Sequence, residues 1–361
     1  MQKEQLFKFF EDVIALKASD LLISATSPLM SRISGNLVPY NDEILIPQDT
    51  EDIARIITPK DKFEILERDG EVDFAYTFED KARFRVNVFK QRSYYAAALR
   101  IIKSEVPDAK DFNMPPSILE FAQLKRGLVL VTGPTGSGKS TTLATILNEI
   151  NKTRSAHVIT LEDPIEFLHP NKKSLFNQRE IGSDTGSYAN ALRACLRQDP
   201  DVLLIGEMRD FETISIALTT AETGHLVFST LHTVGACKSI DRIVDVFPPH
   251  QQNQIRIQLA AILEGVVSIQ LIPHINGRTR VAAYEVMKIT PAIRNLIREG
   301  KNHQIVSQLQ TGKQLGMQTL DQSLIDLVKN GEITKENALT YCIDKEAMQK
   351  SLASVYVSYN P

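Results

Sequence analysis

A chain of 361 residues exceeds one ordinary domain, so two domains are expected. Its 43% hydrophobic and 24% charged residues match a soluble globular protein with a well-buried core. The formal charge of −3 and a pI near 6.2 argue against a mainly electrostatic nucleic-acid binder, leaving room only for a small basic pore. Cys195, Cys237 and Cys342 are scattered without a CxxC pair. They predict neither a disulfide framework nor a zinc site, fit a reducing compartment, and read as small buried residues.

The chain opens with Leu6, Phe9, Phe10, Val13 and Ile14 at helical spacing, interrupted by Glu4, Glu11 and Asp12. Those charges exclude a signal peptide and predict an amphipathic helix. Helices are expected at 49–57 and 60–68, with turns at Gly35-Asn36 and Gly70. Phe84, Val86 and Val88 alternate with Arg83, Arg85 and Asn87, the period of a half-buried strand, and 96–102 reads as another strand. Residues 1–102 therefore form an expected α+β domain on a small antiparallel sheet. Residues 103–117, with Pro107, Pro115, Pro116 and several charges, read as a linker.

From Ile118 the pattern changes. The runs Leu128–Val131, Val158–Leu161, Val202–Ile205 and Leu226–Phe228 lack alternation and are separated by helical stretches. Strands buried on both faces and joined by crossover helices give a parallel α/β sheet. This second domain, 118–361, is expected to end in a helical region at about 291–350. The apolar stretch 259–272 contains Glu264, Ser268 and Gln270, too polar and too short to span a bilayer, and a cytosolic location is expected.

Gly133-Pro134-Thr135-Gly136-Ser137-Gly138-Lys139-Ser140 matches GxxxxGK[ST], directly after strand 128–132 and before the helix opened by Thr141. Glycines let the backbone turn its N–H groups inward around phosphates, and the helix N-terminus adds partial positive charge. Lys139 is expected to neutralise the β- and γ-phosphates of ATP and Ser140 to ligate Mg²⁺.

Hydrolysis also needs acids. Glu207 follows the apolar strand 202–205 in a Walker B arrangement and is expected in the Mg²⁺ shell. Glu162 emerges from strand 158–161 and is expected to orient the attacking water, with Glu166 as a substitute base; Asp163 fits a site acid and a helix cap or solvated carboxylate equally. His225 and His232 flank strand 226–231, and an imidazole at its carboxyl end could sense the γ-phosphate or simply be a core residue. Arg83, Arg85 and Arg100 fit either a solvated sheet face or a finger contributed across a boundary. Arg193 and Arg197, four apart on a helix, could read phosphate or pair with nearby carboxylates, and the second is favoured.

Together these residues resemble the secretion-ATPase superfamily, and within it the type IV pilus retraction ATPases. The resemblance is carried by Ala18-Ser-Asp20, Gly35, Ala82–Asn87, Gly133–Ser140, Glu162–Glu166, Asp199–Asp210, Thr223–Thr233, Ala292–Glu299 and Leu315–Leu320. It implies a PAS-like N-terminal domain, a RecA-like motor domain, a homohexamer and ATP-driven pilus depolymerisation against an inner-membrane platform protein. It also implies Glu162 as base, His225 and His232 at the nucleotide, and Arg83, Arg85 and Arg100 as arginine fingers. The helix Ala292–Glu299 is implied to serve retraction rather than hydrolysis. Leu22 stands where members often carry His. No tetracysteine zinc element of the assembly ATPases is seen, which favours retraction, and no nucleic-acid partner is expected.

Overall fold

The computed structural model describes residues 2–33, 35–79, 81–102 and 106–353. The chain divides into two units, one of residues 1–105 with 164–168, the other of 106–163 with 169–361.

In the first unit, helix Lys3–Ala15 buries Leu6, Phe9, Phe10 and Val13, one stripe at helical spacing. Strands β1 (Asp20–Ser24), β2 (Met30–Ile33), β3 (Asn36–Pro39), β4 (Glu71–Phe78), β5 (Ala82–Gln91) and β6 (Tyr94–Ile102) form one sheet in the order β3-β2-β1-β6-β5-β4. Every neighbouring pair is antiparallel. On β5, Phe84, Val86 and Val88 enter the core while Arg85 is exposed, as the alternation predicts. Helices Pro47–Ile57 and Lys60–Asp69 add Ile53, Ile57 and Leu66 to the same core. Gly70, at φ +87°, takes the left-handed conformation that ends the second of them.

In the second unit, β7 (Gly127–Thr132), β8 (His157–Glu162), β9 (Leu175–Glu180), β10 (Val202–Ile205), β11 (Leu226–Leu231), β12 (Leu263–Pro273) and β13 (Arg280–Lys288) are ordered β13-β12-β7-β11-β10-β8-β9. All pairs are parallel except β12–β13. Leu128 and Leu130 of β7 face one apolar core and Val129 and Val131 the other; β10 and β11 divide their side chains the same way. That two-sided burial is why these runs do not alternate. Helix Lys139–Thr153 covers one face, and helices Tyr188–Cys195, Phe211–Glu222, Ala236–Asp245 and Pro249–Ile262 cover the other.

The expected linker differs. Residues 103–105 lie outside the described residues, but Ala109, Met114 and Ile118 are buried in the second unit's core around the 3₁₀ turn Ala109–Phe112 and the short helix Pro116–Leu119. The prolines shape an irregular path there, and the apolar side chains between them anchor it. The apolar stretch 259–272 splits into a helix ending at Ile262 and strand β12. Gly265 is required where they meet, because the Phe121 ring occupies the space a Cβ would take. Helices Pro291–Arg298, Ile305–Thr311, Leu320–Lys329, Lys335–Tyr341 and Lys345–Ala353 fill the expected helical region.

Candidate functional site

Strand β7 delivers the chain at Thr132 into a loop whose Gly133, Gly136 and Gly138 have φ of +143°, +73° and +99°. Gly133 admits no side chain: a Cβ would lie 2.7 Å from Ser137 Oγ and against the carbonyl of Ile269. The helix then starts at Lys139, so its unsatisfied N–H groups point into the loop. Lys139 Nζ, nearly buried, donates to the carbonyls of Gly133 at 2.8 Å and Pro134 at 3.0 Å. Among the described residues the buried hydroxyl of Ser137 has no hydrogen-bond partner. Ser140 and Thr141 are the next two residues of the helix.

The acids stand at neighbouring strand ends, as a parallel sheet requires. Glu207, two residues past β10, is ion-paired with Arg209, and its Oε1 lies 3.1 Å from Nε2 of His232. The other ring nitrogen of His232 is 3.4 Å from the hydroxyl of Thr135. One imidazole thus connects the phosphate loop to the Walker B acid. Glu162 closes β8; Thr160 Oγ1 donates to its Oε1 at 2.6 Å and Gln178 Nε2, from β9, at 3.2 Å.

Tyr188 stands among these carboxylates, and sequence reasoning missed it. Burial pushes its phenol up, and Asp163, Glu207 and Glu162 add to the shift. A Cβ at Gly206 would stand 2.9 Å from the Tyr188 hydroxyl and 3.3 Å from Glu162 Cα, so the glycine leaves the room that the phenol occupies beside β8. No local motif signals this tyrosine, because it comes from a helix some two dozen residues after Glu162. Gln178 was missed because β9 meets β8 only in the folded sheet, and Thr160 because an interior strand threonine two residues before Glu162 carries no motif.

Other expected residues lie elsewhere. His225 precedes β11, its carbonyl accepting from Gly127 N and its ring meeting Thr220 O and Thr223 Oγ1. Strand β11, Leu226–Leu231, lies between it and His232, so the two histidines stand at opposite ends of one strand. Glu166 belongs to segment 164–168, grouped with the first unit. Arg83, Arg85 and Arg100 are all in that first unit; Arg85 stands directly opposite Arg100, whose Nε donates to Asp20 Oδ1 at 2.8 Å. Arg193 pairs with Glu212 as expected, whereas Arg197 donates to the carbonyl of Arg193. All three cysteines are free thiols, Cys195 buried and the other two half-buried; burial pushes the Cys237 thiol up to about 11. Arg294, in the helix expected to serve retraction, donates to the carbonyls of Ala260 and Ala261 and pairs with Glu264, closing the end of helix Pro249–Ile262.

A cavity of about 440 Å³ opens beside Gly138 and Thr141, with Phe112, Ile269 and Leu271 as apolar walls and Asn113 and Arg280 as polar ones. That volume suits a nucleoside-sized group. Among the described residues no group of three His, Cys, Asp or Glu gathers as a metal cage.

A family model for type II/IV secretion system proteins matches residues 4–340. A twitching motility protein of Neisseria gonorrhoeae is 47% identical over 335 residues, 93% of this chain and 89% of the relative. The type IV pilus retraction ATPase PilT of Pseudomonas aeruginosa is 50% identical over 321 residues, 89% of this chain and 93% of the relative. A crystal structure of the pilus retraction motor PilT with bound ADP aligns with a TM-score of 0.88 at 48% identity, covering 95% of this chain and 98% of that one.

Proposed function

The chain belongs to the type II/IV secretion system protein family, and on that footing we propose that it hydrolyses ATP to power type IV pilus retraction and twitching motility. The observation that carries the reading is likeness to the retraction ATPases over nine-tenths of both chains, with an ADP-bound relative of the same fold.

In this reading the triphosphate lies on Gly133–Ser140, and Lys139 exchanges its carbonyl partners for phosphate oxygens. The nucleoside takes the cavity beside Gly138 and Thr141. Ser140 and Glu207 offer the hard oxygen donors that Mg²⁺ prefers, the remaining ligands being phosphate and water. When bound, the ion neutralises charge on the β- and γ-phosphates. Glu162, steadied by Thr160 and Gln178, orients the water that attacks the γ-phosphorus, and Tyr188 helps place that water between the acids. His232 registers the γ-phosphate side through Thr135 and Glu207. Arg83, Arg85 and Arg100 contribute phosphate contacts in an assembled homohexamer.

The proposed work site is the cytoplasmic face of the inner membrane, against a platform protein of the pilus machinery. Among the described residues no helix is long and apolar enough to cross a membrane.

Lys139→Ala is expected to abolish ATP hydrolysis in the purified chain, and near-normal turnover would move the site elsewhere. Deleting the gene is expected to leave cells hyperpiliated and unable to twitch. Bald cells would instead assign the motor to pilus assembly.

A further inference from the structure

Glu285 is a carboxylate only 5% exposed, in the middle of β13. Across the sheet it stands opposite Ser268 of β12, which in turn stands opposite Thr132, the last residue before the phosphate loop. Burying a carboxyl group among apolar side chains is costly unless backbone donors meet it. One is in hydrogen-bond geometry: Ala236 N donates to Glu285 Oε1 at 2.7 Å, and the backbone of Leu320 lies near enough to help hold the carboxyl down. Ala236 and Leu320 both open helices, Ala236–Asp245 and Leu320–Lys329, so two helix N-termini approach one side chain. Burial pushes this carboxyl up while the Ala236 and Leu320 backbones pull it down.

What the two helices carry gives the arrangement its meaning. The loop before Ala236 begins at His232, which touches Glu207 and Thr135, and its Gly235 N donates to Ser268 Oγ at 2.9 Å. The segment before and into the other helix is fastened to the neighbours of Glu285. Gln318 exchanges backbone bonds with Val286, its side chain donates to Tyr284 O, and Ser323 Oγ accepts from Tyr284 N. Asp321 then accepts from Ile343 N and Asp344 N, which orders the start of the last helix.

We infer that Glu285 is a positioning residue: it fixes the His232–Gly235 loop beside the phosphate loop and ties that loop to helix Leu320–Lys329. Nucleotide state read at His232 then reaches the C-terminal helices through one buried side chain. The inference rests on the ATPase reading above.

The test compares wild type with Glu285→Ala and Glu285→Gln under Mg-ATP. A role in placing the His232 loop predicts that Glu285→Ala lowers kcat at least tenfold while KM for ATP stays within about threefold. Glu285→Gln, with one acceptor oxygen, should recover part of that loss. Amide exchange at residues 318–323 should respond to ADP against a non-hydrolysable ATP analogue in wild type and lose that response in Glu285→Ala. A folded Glu285→Ala chain with wild-type kcat, or with an intact response at 318–323, overturns the inference. Should Glu285→Ala fail to fold, Ser268→Ala removes only the acceptor for Gly235. It is then expected to lower kcat at least threefold at unchanged KM, and an unchanged kcat overturns the inference. A wild type without ATP turnover would sink the ATPase reading itself, a result separable from any effect of the variants.

Discussion

His169 packs its ring against Phe176, centroids 4.8 Å apart and planes 19° apart, with Nδ1 buried and without a hydrogen-bond partner among the described residues. Burial, assisted by the charge of Lys172, holds its imidazole down at about 4 against an ordinary 6.5. The unfolded chain therefore binds the proton more readily between those values. The stability from keeping His169 neutral is complete above pH 6.5 and drains away as pH falls toward 4, a loss of about 3 kcal/mol at most. His169→Phe should flatten that acid limb, so that its Tm drops less than wild type between pH 6.5 and 4.5; parallel curves would clear His169 of the effect. Glu162→Gln belongs to the same scale. The variant should bind ATP and hydrolyse it at least tenfold more slowly, because a positioned base contributes roughly 10²–10⁴ in rate. A larger loss from Glu166→Gln would exchange their roles. The phosphate loop and both acids were legible because each sits in a contiguous motif. Tyr188, Gln178 and the Thr135–His232–Glu207 link were not, since they depend on which strand ends the sheet brings together.

Elements were legible where burial imposes a period. β10 was read to the residue, because four apolar side chains covered on both faces leave no ambiguity. β9, Leu-Phe-Asn-Gln-Arg-Glu, is a polar edge strand and carries no such signal. β12 was hidden because its apolar run continues from a helix without punctuation. The helix Pro291–Arg298 shows a further limit. Sequence resemblance treats Ala292–Glu299 as one functional strip, yet Ile293 and Ile297 are buried, Arg294 caps another helix, and Ala292, Asn295 and Arg298 are exposed. Arg294→Ala should therefore destabilise the chain by about 1–3 kcal/mol through lost charge-assisted bonds to Ala260, Ala261 and Glu264. Asn295→Ala should leave both Tm and ATP turnover unchanged while removing retraction. Chemical denaturation and an ATPase assay on the two variants separate these cases, and equal stabilities would refute the capping role.

For the whole molecule, the division into an α+β unit and a parallel α/β unit follows from the switch between alternating and unbroken apolar runs. The linker misled because proline content reports backbone irregularity and says nothing of burial; Met114 and Ile118 were the residues to weigh. A ring of six copies is the assembly proposed for this chain. Sedimentation in Mg-ATP should give about six times the 40.4 kDa chain mass. A particle that stays monomeric at working concentration would remove the ring.

The reversed direction of β13 has a mechanical consequence. β12 leaves the sheet on the side of the phosphate loop, but β13 returns the chain to Lys288, opposite Gly265, before helix Pro291–Arg298 begins. Glu285 stands level with Thr132 across β12, and Lys288 three residues on, so roughly 10 Å of strand separate the level of the phosphate loop from the end of β13. A stiff hydrogen-bonded ribbon spans that gap, so in the proposed motor a displacement at the phosphate-loop rim would reach helix Pro291–Arg298 with little slack.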